Sequence, residues 1–130
     1  MVETCRGILQ ETQMTEILFF LVVKHVIMDL GLQSQLLWGK TDAKYDYFGC
    51  HQHYLHHAIG TFIVFLFVDI KTAYVAMALD YLAHWHIDFA KHRVQTYMGW
   101  NRKDKAWWWL AAVDQLLHFL TYYLLIIYFI

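Results

Sequence analysis

Histidine and aspartate recur four residues apart in stretches of this sequence that are otherwise apolar. The pairs are His25 with Asp29, His84 with Asp88, and Asp114 with His118, and the segment HQHYLHH contributes His57. Residues four apart lie on one face of a helix, so each pair presents an imidazole and a carboxylate together. Mixed nitrogen and oxygen ligands suit zinc, manganese or iron better than calcium. We therefore predict that these seven residues bind a divalent metal, with zinc favoured over manganese and iron.

Two other interpretations of the same residues stay open. The number of candidate ligands allows two ions, or one ion whose histidines are oriented by further carboxylates. Without any metal, the same side chains could join helices by polar contacts. Lys24, next to His25, is expected to point away from the site or to extend toward the membrane surface.

The composition favours a membrane protein over a soluble or nucleic-acid-binding one. Of the 130 residues, 59% are apolar, 16% are charged and none is proline, whereas soluble domains are roughly 45–50% apolar. The formal net charge of −1 gives no electrostatic support for nucleic acid as a partner. The polar start, MVETCRGILQETQ, is not typical of a cleavable signal peptide.

Four apolar runs predict an all-α fold, a four-helix transmembrane bundle formed by one membrane domain over residues 1–130. The predicted helices cover about 15–38, 53–68, 72–91 and 106–130. A soluble four-helix bundle is the alternative, but its helices need a polar face. The last run ends in LLHFLTYYLLIIYFI, which has no charged residue.

Lysine and arginine concentrate in the two loops that follow the first and third predicted helices. These loops contain Lys40, Lys44, Lys91, Arg93, Arg102, Lys103 and Lys105. Because positive loops stay in the cytoplasm, we expect a multi-pass inner-membrane protein with both termini outside. In that topology all four helices bring histidine or aspartate into the same half of the bilayer.

The motifs also resemble a known family. KHVIMD, WGK, HWHIDFAK and DQLLHF, over roughly residues 17–125, resemble the small membrane proteins of bacteria and phages in domain-of-unknown-function family 3307. The chain is more distantly similar to inner-membrane metal-dependent hydrolases. The resemblance implies functional positions at His25, Asp29, Gln33 or Gln35, Lys40, His56 or His57, His84, Asp88, Lys91, Asp114, Gln115 and His118. HYLHH also matches one histidine box of membrane desaturases and hydroxylases, which need several such boxes.

These features support three functional hypotheses. The first is a metal-dependent hydrolase of a lipid or lipid-linked ester, in which Asp88 or Asp114 is the catalytic base and Lys40 and Lys91 bind the substrate headgroup. The second is a phage or bacterial membrane protein without enzymatic activity, with a structural metal, an ion-conducting role or a host partner. The third is a di-iron lipid oxidase similar to the desaturases.

Two further expectations concern the surroundings of the site. The bilayer is the predicted partner, and the oligomeric state is left open. If the protein is a hydrolase, its site is expected to open beside the short second helix near Gly60, at a mouth bordered by His57, Asp88 and Lys91.

Overall fold

The computed structural model describes the backbone of residues 2–32 and 48–130 and the side chains of residues 7–29 and 50–130. This part of the chain is entirely helical, as predicted, and contains no strand. The elements are α1 (Val2–Val26), a π-helical segment that continues it (Ile27–Leu32), α2 (Phe48–Phe65), α3 (Ile70–Met98) and α4 (Lys105–Phe129). Helix α1 begins well before the predicted residue 15, because the polar stretch ahead of the apolar run lacks proline and continues the helix. Lys40, Gln33 and Gln35 lie outside the described residues.

The four helices pack in a ring, in which each helix contacts the two that neighbour it in the order α1, α2, α3, α4. Short connections join α2 to α3 and α3 to α4. In the first of them, the Asp69 carboxylate accepts hydrogen bonds from the backbone N–H groups of Lys71 and Thr72 and caps α3. Hydrogen bonding to Thr72 is the main cause that lowers the pKa of Asp69. Gly99 ends α3 with a φ of 68°, which glycine adopts without strain.

One end of the bundle has an apolar core. Its buried residues are Ile17, Leu21, Val64, Phe65, Ala73, Ala76, Tyr122, Leu125 and Ile126. They come from all four helices, and the small residues Ala73 and Ala76 bring α3 close to its neighbours. This end aligns the helices so that the polar residues one or two turns further along face each other.

A buried ion pair lies between the apolar core and the histidines. The Lys24 ammonium is 3.0 Å from Asp80 Oδ2, 2.9 Å from Thr61 Oγ1, 2.9 Å from Tyr122 Oη and 3.1 Å from the His57 carbonyl oxygen, and its three protons are shared among these four acceptors. Lys24 is only 7% exposed. The expectation that Lys24 points away from the interior is therefore wrong, because the Asp80 carboxylate on α3 holds its ammonium inside the bundle.

The stem of Lys24 also fills the space beside Gly60. A Cβ atom added at Gly60 would lie 2.6 Å from Lys24 Cγ and 2.8 Å from its Cδ. The absence of a side chain on Gly60 thus lets Lys24 cross from α1 to α3. Gly60 does not provide the opening that was expected on this side of the bundle.

The outer surface of the bundle carries large apolar side chains on every helix. Examples are Phe19 on α1, Ile63 on α2, Val75 on α3 and Trp109 on α4, all exposed. Among the described helices, α4 alone is long and apolar enough to cross a membrane, with a mean hydropathy of 1.6 in its most apolar window. Of that apolar window of α4, 28% is buried inside the bundle. The predicted four spans are not supported by this measure, because the other helices contain polar residues such as Glu11, Glu16 and Lys24 on α1, the histidines of α2, and Asp80 and Asp88 on α3.

Gly60→Ala should destabilise the protein. The added methyl group overlaps the middle of the Lys24 side chain, whose ammonium is fixed by hydrogen bonds, so the helices must separate or the ion pair must distort. We expect a loss of about 1–3 kcal/mol, measured by thermal unfolding in detergent. Gly7→Ala is the matched control, since nothing lies within 4 Å of a Cβ atom there. Equal stability of Gly60→Ala and the wild type would contradict the close packing of Lys24.

Candidate metal centre

Five histidine rings from four helices meet in the middle of the bundle. They are His25 on α1, His53 and His57 on α2, His84 on α3 and His118 on α4, all buried. The His84 ring is central: its centroid lies 3.9 Å from that of His57, 4.0 Å from that of His118 and 5.1 Å from that of His53. The spacing of four residues places His53 and His57 on one face of α2. The structure thus brings together imidazoles that are up to 93 residues apart in the chain.

Asp29 joins three of these histidines through its two oxygens. Its Oδ1 lies 3.2 Å from Nε2 of His53 and 3.2 Å from Nε2 of His57. Its Oδ2 lies 3.3 Å from Nε2 of His25, one helical turn earlier. Asp29 belongs to the π-helical segment that extends α1. Segments of this kind are common at functional sites, where they redirect a side chain.

Asp88 contacts the cluster from the α3 side. Its Oδ1 lies 3.1 Å from Nε2 of His118, and its Oδ2 lies 3.6 Å from Nε2 of His53 and 3.7 Å from Nε2 of His84. The Asp88 side chain is 12% exposed, whereas that of His84 is fully buried. The Asp29 side chain is 17% exposed, so both carboxylates lie at the border of the cluster that solvent reaches.

Two sets of these side chains could each hold a metal ion. The first set is Asp29, His53, His57 and His84, and the second is His84, Asp88 and His118. In a tetrahedral site with bonds of about 2.0–2.1 Å, neighbouring ligand atoms are about 3.3–3.4 Å apart. Three of the six separations agree with that geometry: His53 Nε2 to Asp29 Oδ1 is 3.2 Å, His57 Nε2 to Asp29 Oδ1 is 3.2 Å, and His84 Nε2 to His53 Nε2 is 3.3 Å. The ligand atoms of this set all lie within 4.8 Å of one another.

The ring nitrogens of His57 support a ligand role. Among the described residues, neither nitrogen meets the geometry of a hydrogen bond, although Nε2 lies 3.2 Å from Asp29 Oδ1. A buried polar atom without such a bond normally costs about 1–3 kcal/mol. Coordination of a metal ion by Nε2 would remove part of that cost.

Two predicted ligands lie beside these sets. His25 is hydrogen-bonded at both nitrogens, by Nδ1 to Tyr122 Oη at 2.9 Å and by Nε2 to Gln115 Oε1 at 3.0 Å. Asp114 accepts a hydrogen bond of 2.7 Å from the Lys91 ammonium, and its other oxygen is 3.7 Å from His118 Nε2. The other predicted ligands are in one or both sets, so the structure brings all seven predicted side chains into one region.

His53 was missed as a candidate ligand, although a signal for it was present. It precedes His57 by four residues, the spacing that identified the other pairs. His53 is the first residue of the predicted second helix. In the structure α2 begins at Phe48, so His53 is already in its second turn. His51 is outside the cluster, and its Nδ1 is hydrogen-bonded to Tyr81 Oη at 2.7 Å. Lys91, predicted to bind a headgroup, is 29% exposed, so a contact with a substrate stays a prediction.

His84→Ala should remove the bound metal, because His84 belongs to both sets of candidate ligands. We expect the metal content of the purified protein to fall from near-stoichiometric to below about one tenth of that of the wild type. His86→Ala is the matched control, since His86 lies two residues away, is exposed and bonds the carbonyl of Leu82. Unchanged metal content in His84→Ala would contradict the assignment, and elemental analysis by mass spectrometry provides the measurement.

Comparison of the chain with protein-family models, with curated proteins and with solved structures finds no match in any of the three. The resemblance to family 3307 therefore stays a prediction, and the geometry of the His/Asp cluster carries the functional argument.

Proposed function

We propose that this chain is a multi-pass membrane protein that binds a divalent metal ion among its buried histidines and hydrolyses a lipid or lipid-linked ester. The observation that carries the proposal is the inverted distribution of polarity in the bundle. Imidazoles and carboxylates converge inside, while each described helix exposes several large apolar side chains on its outer side.

The apolar outer surface supports insertion of the whole bundle in a bilayer. Each described helix exposes several large apolar residues, and some, such as Tyr97 and Trp109, are more than 70% exposed. Soluble monomers rarely expose contiguous apolar surface on this scale. Polar groups in membrane helices usually face the bundle interior and mark functional sites. Hydropathy averaged over all residues of a helix includes the polar residues that face the interior. The average is therefore lower than the hydropathy of the side that would face lipid.

The distribution of charge supports a divalent cation. Two carboxylates lie against ammonium groups: Asp80 is 3.0 Å from Lys24, and Asp114 is 2.7 Å from Lys91. Asp29 and Asp88 lie against imidazoles instead. One divalent ion would balance these two carboxylate charges while the imidazoles stay neutral, as metal binding requires. Nitrogen-rich ligation favours zinc, with manganese or iron as alternatives.

One ion in the first set of ligands suits this arrangement best, since both sets draw on His84. Asp29, His53, His57 and His84 would then bind it, and Asp88 would lie beside the edge between His53 and His84. Because these four side chains would fill a tetrahedral shell, a hydrolytic role would require the ion to take a water as a fifth ligand beside Asp88, where it would activate that water and polarise the ester.

We assign Asp88 as the general base that accepts a proton from the attacking water. It is partly exposed and stands at the edge of the ligand set. Asp114 fits this role less well, because the Lys91 ammonium at 2.7 Å stabilises its charged form and blocks one oxygen. Lys91 and Lys40 remain the proposed contacts for an anionic headgroup, at a mouth on the cytoplasmic side with both termini outside.

A structural metal is the second candidate function. The observation in its favour is that the first set already supplies the four ligands of a closed tetrahedral site. Structural zinc sites are closed in this way, whereas catalytic sites keep a position for water. The two functions differ in what they require of Asp88, since a structural site needs no base.

Asp88→Asn tests the choice between these functions. The amide keeps the size of the side chain but cannot accept the proton, so turnover of a phospholipid ester should fall at least about 100-fold. The metal content should stay within about twofold of that of the wild type, because the first ligand set is intact. Release of product from mixed phospholipid vesicles and elemental analysis measure the two quantities.

Glu16→Gln is the control for Asp88→Asn, because Glu16 is an exposed carboxylate on α1, outside the cluster. Ester turnover by the wild type that survives Asp88→Asn would exclude Asp88 as the base. A metal-loaded wild type without turnover on esters of the main phospholipid classes would favour the structural metal.

A further inference from the structure

The hydroxyl group of Tyr122 lies between the buried lysine and His25. Its oxygen is 2.9 Å from the Lys24 ammonium and 2.9 Å from Nδ1 of His25. A lysine ammonium has only donors, so the Tyr122 oxygen accepts from Lys24. The single hydroxyl proton of Tyr122 is then directed to His25, whose Nδ1 must be the acceptor.

The contacts of Gln115 also indicate which ring nitrogen of His25 carries the proton. Its amide nitrogen lies 3.3 Å from Oδ2 of Asp29 and 3.3 Å from Oδ2 of Asp114, where carboxylates require a donor. The amide oxygen of Gln115 therefore faces His25, at 3.0 Å from Nε2. An oxygen in this position accepts, so Nε2 of His25 carries the proton.

The position of the proton decides what His25 can do in the cluster. A nitrogen that carries a proton has no lone pair for a metal ion. The single Nε2 proton of His25 can be shared between Gln115 Oε1, 3.0 Å away, and Oδ2 of Asp29, 3.3 Å away. With Gln115 on the same oxygen, Asp29 presents its other oxygen, Oδ1, to His53 and His57.

We propose that His25 is a positioning residue and not a metal ligand, and that the chain of contacts Asp80–Lys24–Tyr122–His25–Asp29 orients Asp29 to bind a divalent cation through Oδ1. The proposal deepens the proposed function, since it rests on an ion bound by the first ligand set. It also revises the prediction from the sequence, which counted His25 among the ligands. The chain of contacts links α1, α3 and α4.

Two substitutions of His25 separate a positioning role from a ligand role. The protein is loaded with Co²⁺, whose visible spectrum reports the ligands, and the affinity is measured by competition with a chelator. His25→Gln supplies an amide N–H near the position of Nε2, so the spectrum should be that of the wild type and the affinity within about threefold. His25→Ala removes the donor, and the affinity should fall about 10–100-fold, while one Co²⁺ per chain still binds at saturation.

Tyr122→Phe tests the link to Lys24. It removes the hydroxyl group that fixes the proton of His25, and a roughly tenfold loss of Co²⁺ affinity is expected. Tyr123→Phe is the matched control, because the Tyr123 side chain is 53% exposed and points out of the bundle. A changed Co²⁺ spectrum in His25→Gln, or Tyr122→Phe equal to Tyr123→Phe, would overturn the proposal.

A measurement on metal-free protein distinguishes a failure of this inference from a failure of the proposed function. Nitrogen-15 chemical shifts of His25 identify which ring nitrogen carries the proton. We expect a protonated Nε2 in the wild type and a smaller fraction of that form in Tyr122→Phe, where Gln115 Oε1 is still present to accept from Nε2. A wild type that binds no Co²⁺ or Zn²⁺ would refute the metal centre, whereas a proton on Nδ1 of His25 would refute the positioning role.

Discussion

The arrangement depends on keeping carboxylate charges inside a bundle whose outer surface is apolar. A charge that leaves water costs several kcal/mol unless an opposite charge and hydrogen bonds replace the solvent. Asp80 and Asp114 have lysine ammonium groups for this purpose. Asp29 and Asp88 have imidazoles around them, and the positions of the imidazole nitrogens match the ligand shell of a small divalent ion. We infer that the polar contacts of the site hold the helices together as much as apolar packing does.

Such a contribution from polar contacts fits the energetics of helix association expected in a bilayer. Apolar side chains gain little by leaving lipid, so membrane helices associate through close packing and polar contacts. The small residues Ala73 and Ala76 and the gap at Gly60 provide the close packing. The Lys24 ammonium, with oxygens of α2, α3 and α4 around it, provides the polar contacts.

The sequence predicted the helical class and most of the cluster, because both follow from local spacing. His84 with Asp88 and Asp114 with His118 show the period of a helix directly. Contacts between helices were not predictable in the same way: nothing local indicates that Lys24 meets Asp80, or that Tyr122 lies against His25. Hydropathy could not predict which way Lys24 points, since an inward lysine needs a partner that is 56 residues away. The extended start of α1 was missed because apolar runs mark the part of a helix that faces lipid or a core, and a polar turn continues a helix without that signal.

The central claim is that one divalent ion is bound by three imidazoles and one carboxylate inside the bundle. X-ray absorption spectroscopy of the purified wild type, loaded with one equivalent of Zn²⁺, tests it most directly. We expect a first shell of four nitrogen or oxygen atoms at about 2.0–2.1 Å, with the outer-shell scattering of three imidazole rings. A shell of water oxygens, a sulfur ligand, or zinc that is removed by simple dialysis would contradict it.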